Sequence, residues 1–279
     1  MDRENAKAAR LPGIVISEPA EGVMLIRIDR PHRLNALAPQ TFLALRAAFA
    51  GFRDHPGARV AVVTGTGDRG FCTGADLKET LPPQTPFAAS VFAGDEAGIL
   101  DGNYIRGLDL DRLQIGKPVI AAINGHALGG GLELALACDI RMAAPNATFG
   151  LPEVRSGSIP AVGGIQRLMR TMAHSAAMTM ILTGEAIDAK AALAAGLVSQ
   201  VVPLEELLPQ ALALAGRIAA NAPLAVKAAR MLARDGLDMP IPQAMQLEQF
   251  VWGTLRETHD RVEGRRAFAE KRAPRFTGR

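Results

Sequence analysis

The chain has 279 residues, of which 48% are hydrophobic and 21% charged, with a formal net charge of +3. This length and composition predict a globular protein with a sizeable core, built as one large domain or as a domain with an appendage. The charges are scattered, and the cationic clusters at 264–266 and 271–272 are short. They are typical of solvated faces or anion contacts, so we expect no nucleic-acid partner.

Cysteine usage and the N-terminal segment indicate the compartment. Cys72 and Cys138 form neither a disulfide framework nor a metal-ligand spacing, which favours a reducing environment. The first ten residues carry Asp2 and Glu4 and lead to no apolar run, which argues against secretion. No stretch reaches ~18 uninterrupted apolar residues, which argues against a membrane span. We therefore expect a cytoplasmic protein without a membrane partner.

The N-terminal two thirds alternate short strands with helices. The alternating segment 23–29 predicts a half-buried strand that ends at Arg30-Pro31, and apolar positions in 42–49 recur at helical spacing. Further strands are predicted at 59–64, 118–123, 139–143 and 197–202, and a helix at 132–137. Short strands followed by helices predict an α/β layer structure in which both strand faces are covered.

The character changes at Leu204, after which Ala/Leu/Arg-rich helical stretches run to Asp235 and again over 242–269. We therefore divide the chain into a core, 1–203, and a helical C-terminal region, 204–279. The Pro-bearing segment 79–102 is interpreted either as a mobile lid over a ligand or as a surface loop.

The first glycine cluster, residues 65–70 (GTGDRG), matches G-x-G-x-x-G behind a strand. A dinucleotide fingerprint needs a helix to open at once, but the small apolar residues FCTGA follow. The sequence also lacks a P-loop, a G-x-S-x-G elbow and an H-E-x-x-H motif. Nucleotide, α/β-hydrolase and zincin chemistry therefore lack their usual parts.

A second glycine cluster, Gly129–Gly131, lies between a predicted buried strand and a helix. Such a turn exposes backbone amides that suit an oxyanion or a phosphate, although the cluster read alone slightly favours a tight strand-to-helix packing turn. Residues 74–76 (GAD) form a comparable small-residue turn. The two turns could together present two amides to one oxygen.

Two carboxylates follow these turns. Glu133 lies on the first turn of an otherwise apolar helix, where it could serve catalysis or only stabilise the helix dipole. Glu153 follows Gly and Pro in a predicted loop, and read alone it favours a surface carboxylate over a catalytic one. The five histidines are isolated, and His126 beside the glycines is the one that could act as a base.

Taken in order, these segments resemble the enoyl-CoA hydratase/isomerase (crotonase) family over roughly residues 13–276. The resemblance is carried by RPHRLNAL at 30–37, GFCTGADLKE at 70–79, KPVIAAINGHALGGGLELA at 117–135, FGLPE at 149–153, GGIQRL at 163–168 and FAEKR at 268–272. It implies a crotonase-like spiral of repeated ββα units followed by a helical C-terminal trimerisation region. It also implies a homotrimer or a hexamer formed as a dimer of trimers.

The resemblance further implies a hydro-lyase that adds water to a 2-enoyl-CoA thioester. The backbone amides of Ala75 and Gly130 would form an oxyanion hole, Glu133 would act as the base that orients water, and Glu153 would give the α-carbon its proton. Contacts to coenzyme A are implied for Arg33, Ala36, Thr73, Asp76, Leu77, Lys78, Phe268 and Lys271, with a contact across a subunit boundary as one reading for Lys271. No metal or redox cofactor is implied, since coenzyme A arrives as part of the substrate.

One departure from the family stands at Ala161, which follows Ile159-Pro160 where the hydratases often carry glycine. We expect its methyl group to cost ~1 kcal/mol or more if φ is positive, and to alter water placement or acyl preference. Other stretches, at 221–225 and 268–274, resemble the carnitinyl-CoA dehydratase branch. That activity, a Δ3,Δ2-enoyl-CoA isomerase, and a non-catalytic scaffold or RNA binder are the alternatives.

Overall fold

The computed structural model describes residues 8–80, 86–92, 94–100 and 103–279. The strands are β1 (Ala9–Leu11), β2 (Ile14–Ala20), β3 (Val23–Ile28), β4 (Val60–Gly65), β5 (Gly70–Cys72), β6 (Val119–Ile123), β7 (His126–Leu128), β8 (Ile140–Ala143), β9 (Thr148–Gly150), β10 (Ile187–Asp188) and β11 (Gln200–Val201). The α-helices are α1 (Pro39–Asp54), α2 (Phe87–Phe92), α3 (Asp95–Leu100), α4 (Gly130–Ala137), α5 (Gly164–Thr171), α6 (His174–Thr183), α7 (Ala189–Ala194), α8 (Leu204–Ala219), α9 (Pro223–Asp235), α10 (Ile241–Leu255) and α11 (His259–Ala269). Short 3-10 helices include Tyr104–Leu108, Asp111–Leu113 and Pro152–Ser156.

From β4 to β9, consecutive strands alternate between two sheets. One sheet has the order β1-β2-β3-β4-β6-β8-β11, and the other has the order β10-β9-β7-β5. The strand pairs β4–β6 and β6–β8 in the first sheet are parallel, as are β5–β7 and β7–β9 in the second. Each turn of the chain therefore adds one strand to each sheet before the next helix begins, which gives a spiral of ββα units.

The central strands are covered on both faces. In β4, Ala61 and Val63 join the main core, which includes residues of α1, α4 and the second sheet. Val60 and Val62 point the other way and pack with the alanine-rich face of α8. Two-sided burial explains the continuous apolar run of this strand and confirms the prediction of a covered α/β layer.

Several predicted boundaries need correction. The strand predicted at 197–202 is only Gln200–Val201. The strands β5, β7 and β9 were not predicted, because segments of three residues are too short to show alternation. Segment 79–102 carries the helices α2 and α3, and the buried Ile99 anchors α3 in the core. Residues 81–85, 93, 101 and 102 lie outside the described residues, and the lid role stays a prediction.

The first glycine cluster forms the turn from β4 to β5, and the residues that follow it form a strand rather than a helix. Two buried amide side chains tie this turn together. Asn124 donates to the Gly65 and Gly67 carbonyls at 3.0 and 2.7 Å, and Asn35 donates to the Gly70 carbonyl at 2.6 Å. The turn thus switches the chain between sheets, which agrees with the argument against a dinucleotide site.

The C-terminal helices α8 to α11 confirm the predicted change to helical structure after residue 203. The division into two regions at 203/204 stays a prediction, since α8 itself packs on the sheet of the core. Across the part of the chain that the structure describes, none of the helices has the length and apolarity needed to cross a membrane.

Helix α4 approaches β5 so closely that only glycine fits at the contact. A Cβ atom built on Gly131 would lie 1.9 Å from the carbonyl oxygen of Cys72. We expect Gly131→Ala to lower the free energy of unfolding by about 3 kcal/mol or more, because backbone must move to make room. Urea unfolding of the two proteins measures this difference.

The matched control is Gly51→Ala in α1, where an added Cβ would meet nothing within 4 Å. This substitution should stabilise the protein by about 0.5–1 kcal/mol, since alanine loses less backbone entropy than glycine in a helix. Equal effects of the two substitutions would contradict the close contact between α4 and β5.

Candidate active site

Two glycine-containing turns meet between the second sheet and α4. Gly74 has a positive φ of 82°, and a Cβ atom built there would lie 2.9 Å from the backbone nitrogen of Gly130. Gly129 has a φ of 54° and leads directly into α4. The turns predicted separately at 74–76 and 129–131 therefore lie against each other.

The backbone around Ala75 is fixed on both sides. Leu37 donates its amide to the Gly74 carbonyl at 2.8 Å and accepts from the Asp76 amide at 2.9 Å. Within the described residues, neither the Ala75 nor the Gly130 amide donates a hydrogen bond to a main-chain carbonyl. The structure thus places two unused amides in adjacent turns, which is the arrangement that an oxyanion hole requires.

Glu133 lies on the first turn of α4 and is buried, with 4% of its surface exposed. Its Oε1 accepts hydrogen bonds from the amides of Val162 at 2.7 Å and Gly164 at 2.9 Å. Burial raises the pKa of this carboxyl above its ordinary value, and the two amides and the charge of Arg167 oppose the rise. The amides favour the ionised form of Glu133.

Glu153 lies in the 3-10 helix Pro152–Ser156, against the turn that precedes α4. A Cβ atom on Gly129 would lie 3.0 Å from its Oε1, and its Oε2 is buried without a hydrogen-bond partner. Burial raises the pKa of Glu153 to about 7, and the charge of Glu133 adds to the rise. The structure therefore brings the two predicted carboxylates together and gives them different environments.

The first segments assigned to coenzyme A also come together. The 73–79 turn runs beside the 33–37 turn, where Thr73 Oγ1 donates to the Leu34 carbonyl at 3.4 Å. The buried Asp76 carboxylate is held by Arg33 at 3.3 Å and by Arg30 at 3.4 Å. Five other predicted contacts share this region with Asp76: Arg33, Ala36, Thr73, Leu77 and Lys78. Of these, Ala36 is buried, whereas Leu77 and Lys78 are exposed.

The remaining two predicted contacts lie elsewhere. Phe268 is on α11 and Lys271 follows that helix, and both side chains are exposed. Phe268 lines a groove of about 620 Å³ with residues of α9 and α10, including Trp252. The structure of a single chain thus places these two residues in the C-terminal helical region and not beside Glu133.

Comparison with known proteins agrees with this geometry. The family model described as enoyl-CoA hydratase/isomerase matches residues 18–279. This chain belongs to the enoyl-CoA hydratase/isomerase family. It is 44% identical to the (E)-benzylidenesuccinyl-CoA hydratase of Thauera aromatica, covering 95% of this chain and 99% of that protein. It is 39% identical to the crotonyl-CoA hydratase of Syntrophomonas wolfei, covering 94% and 97%.

Solved structures give the same result for the fold. A crystal structure of an enoyl-CoA hydratase from Bacillus anthracis matches with a TM-score of 0.85 at 35% identity, covering 96% of this chain and all of that chain. One from Geobacillus kaustophilus matches with a TM-score of 0.85 at 36% identity, covering 97% and 100%. The crotonase fold is thereby confirmed, and the protein is an enzyme of the enoyl-CoA hydratase type, a hydro-lyase.

The expectation of strain at Ala161 is not met in this member of the family. Ala161 is exposed and is absent from the residues with positive φ, so its methyl group meets no backbone penalty. The next residue is the one that matters, because the Val162 amide holds Glu133. Sequence reasoning missed this contact, although the Gly163-Gly164 pair in the 163–168 segment marks the turn that makes it.

No group of three or more His, Cys, Asp or Glu side chains among the described residues is arranged to hold a metal ion.

The raised pKa of Glu153 predicts a pH-dependent cost to stability. In the unfolded chain this carboxyl has its ordinary pKa of 4.5, whereas burial in the folded protein raises the pKa to about 7. The folded state of the wild-type protein therefore loses stability as the pH rises through this window. A protein with a neutral glutamine at 153 does not have this loss. Since burial is partial and solvent screens the remainder, we expect Glu153→Gln to gain about 1–2 kcal/mol at pH 8.

Urea unfolding at pH 8 and at pH 4 tests this expectation, because the gain should vanish at pH 4, where the carboxyl is protonated in both states. Glu185→Gln, at an exposed position, provides the control and should show little dependence on pH. A gain for Glu153→Gln that is the same at both pH values would contradict the buried carboxyl.

Proposed function

We propose that the protein catalyses the reversible addition of water to a 2-enoyl-CoA thioester, giving a 3-hydroxyacyl-CoA. The observation that carries this proposal is the pair of adjacent carboxylates, Glu133 and Glu153, beside two unused backbone amides. Hydration needs one group to take a proton from water and another to give a proton to the α-carbon. A pair of carboxyl groups in different protonation states supplies both.

The amides of Ala75 and Gly130 are the proposed oxyanion hole. As water adds to the β-carbon, negative charge develops on the thioester oxygen, where two preorganised donors stabilise it. Each such donor is worth ~10²–10³ in rate. The hydrogen bonds from Leu37 that flank Ala75 support this role, since they hold that peptide in place before substrate arrives.

The environments of the glutamates support different roles. Glu133 receives two amide hydrogen bonds that favour its carboxylate, so we assign it as the base that orients and deprotonates water. Glu153 has a pKa of about 7 and keeps a proton on a large fraction of molecules at neutral pH, so we assign it as the donor to the α-carbon. In the reverse direction the two roles exchange.

Coenzyme A binding is proposed for two groups of residues. Arg33, Ala36, Thr73, Asp76, Leu77 and Lys78 form one group around adjacent turns, with Lys78 exposed and able to reach a phosphate. Asp76 would act there through its ion pairs with Arg33 and Arg30, which orient the cations. Phe268 and Lys271 form the other group and would reach the substrate of a neighbouring subunit.

The relatives suggest which acyl groups to test as substrates. Besides the two hydratases above, the carnitinyl-CoA dehydratase of Proteus mirabilis is 39% identical, covering 92% of this chain and 95% of that protein. Dehydration of a carnitinyl thioester uses the same two-carboxylate chemistry and is our second candidate. A Δ3,Δ2-enoyl-CoA isomerase needs chiefly one base, and a scaffold or RNA binder needs neither glutamate.

The test is the loss of enoyl-thioester absorbance with crotonyl-CoA, then with (E)-benzylidenesuccinyl-CoA and a carnitinyl-CoA dehydration assay. We expect kcat/KM to fall ~10²–10⁴-fold in both Glu133→Gln and Glu153→Gln. The side-chain oxygen of glutamine at 133 can still accept hydrogen bonds from the Val162 and Gly164 amides. This variant therefore removes the proton transfer and keeps the hydrogen bonds. Glu185→Gln serves as the control.

Full activity in either glutamate variant would contradict the assigned pair. Turnover of a Δ3-enoyl-CoA that survives Glu133→Gln but not Glu153→Gln, without hydration of any 2-enoyl-CoA, would point to the isomerase instead. A cytoplasmic location and the absence of a nucleic-acid partner stay predictions.

We further propose that the protein self-associates through its C-terminal helices, as a trimer or a dimer of trimers. Ile241, Met245 and Trp252 lie on one face of α10 by helical spacing, and all three are exposed in the single chain. An apolar stripe of this kind is typical of a surface that another chain covers.

Sedimentation equilibrium should give at least three times the chain mass of 29.4 kDa. Met245→Glu should shift the protein toward the monomer, because a charge would be buried at the contact. Leu182→Glu, at an exposed leucine of α6, is the control that should still form trimers. A wild-type monomer would overturn this proposal.

A further inference from the structure

The turn that holds Glu133 is itself held from its other end by Arg167. Val162 and Gly164 donate their amides to the Glu133 carboxylate at 2.7 and 2.9 Å. The carbonyl of Val162, on the next peptide, accepts a 2.7 Å hydrogen bond from Nη1 of Arg167. The guanidinium therefore reaches the same three-residue turn that presents the amides to the carboxylate.

Two adjacent glycines leave room for these contacts. Gly163 has a φ of 86°, and a Cβ atom there would lie 2.5 Å from Nη1 of Arg167. A Cβ atom on Gly164 would lie 2.8 Å from Cγ of Glu133. Side chains at these positions would displace either the guanidinium or the carboxylate, so the turn has the shape that both contacts need.

Arg167 is in turn fixed by a second carboxylate. Its Nη2 lies 2.5 Å from Asp111, which also pairs with Arg234 of α9. Burial raises the pKa of Asp111, but the charges and hydrogen bonds of Arg167 and Arg234 outweigh it and hold that pKa below its ordinary value. Asp111 thus stays ionised at neutral pH and orients the guanidinium toward the turn.

We propose that Arg167 is a positioning residue for Glu133, holding the 162–164 turn through the Val162 carbonyl, and that Asp111 holds Arg167 in turn. This proposal rests on the role of Glu133 as the base of the proposed hydratase. Arg167 does not touch the reacting atoms in this scheme. It sets the geometry and the charge that keep the base ionised and aimed at water.

The charged groups around Glu133 are few. Arg167 on α5 favours its ionised form, and Glu153 is the neighbouring carboxyl whose pKa it raises. The other elements packed against α4 carry groups that do not contribute to the shift of Glu133: His126 on β7, whose ring bonds Thr148, Cys72 on β5, and Tyr104 and Arg106 on the 3-10 helix that follows α3. Loss of Arg167 therefore removes the cation that acts on this carboxyl.

The decisive variant is Arg167→Met, compared with Arg167→Lys and with the control Arg170→Met on the same helix. Among the described residues, Arg170 bonds Gln166 of its own helix and Asp238, both at exposed positions. We expect kcat for enoyl-CoA hydration to fall ~10²-fold in Arg167→Met, as for other displaced catalytic groups, with KM within about threefold. The acidic limb of the pH profile should move to higher pH, since the ionised base loses its support.

Arg167→Lys should restore much of the acidic limb through its charge but less of kcat, because an ammonium does not reproduce the two-pronged contact. If Arg167→Met does not fold, Asp111→Asn replaces it, and a smaller shift in the same direction is expected. Equal behaviour of Arg167→Met and Arg170→Met, or lost activity with an unmoved acidic limb, would overturn the proposal.

A second readout needs no turnover. Carbon-13 NMR of glutamate carboxyls in the free protein, with the Glu133 signal assigned through Glu133→Gln, should show Glu133 titrating at higher pH in Arg167→Met than in wild type. If no enoyl-CoA is hydrated, the proposed function fails, while this titration still tests the positioning of Glu133. An unchanged Glu133 titration would overturn the positioning role.

Discussion

The close contact between α4 and β5 is the constraint on which the site depends. Gly131 lies so near the Cys72 carbonyl that no side chain fits between helix and strand. This contact brings the start of α4 beside Gly74, and so places the amides of Ala75 and Gly130 in adjacent turns. Because Glu133 is two residues further along the same helix, its position is set by the same contact. One backbone packing requirement thus arranges three of the four groups that we propose for catalysis.

The fourth group, Glu153, differs from Glu133 by environment and not by residue type. Both carboxyls are desolvated, but Glu133 accepts from the two amides of the 162–164 turn, whereas Glu153 is opposed only by its own backbone amide and keeps Oε2 unpartnered among the described residues. An unpartnered buried oxygen on Glu153 disfavours the charged form, and a neighbouring carboxylate disfavours it further. The proposed scheme therefore separates an acid from a base without a histidine or a metal, by placing two amides of a neighbouring turn beside Glu133 and not beside Glu153.

Sequence patterns predicted those features that repeat or that resemble a known family. The apolar runs of β4 and β6 and the periodicity of α8 to α11 were long enough to be recognised, whereas β5, β7 and β9 have three residues each and were not. The glutamates and glycine turns came from the ordered resemblance, and the structure brought them together. Arg167 lies in the GGIQRL segment of that resemblance, but its role had no signal, because Asp111 is distant in sequence and Val162 binds it through its backbone carbonyl. Tertiary contacts of this kind leave no periodic trace.

Beyond α8, the C-terminal helix α9 is linked to the residues around the site by ion pairs more than by apolar packing. Helix α8 buries Leu207, Ala211 and Ala215 against the sheet, but α9, which is described in full, has no buried residue. It is joined to the core by the pairs Arg230–Asp139 and Arg234–Asp111. The exposed Arg234–Asp111 pair contributes only about 0–1 kcal/mol, and the more buried Arg230–Asp139 pair must offset the desolvation of its charges, so these pairs fix the helix weakly by themselves. Burial of the neighbouring apolar stripe of α10 against another copy would supply what these pairs lack. Self-association would then hold α9 in place. Arg234 of α9 pairs with Asp111, so this would also fix the carboxylate that orients Arg167 toward the turn at Glu133.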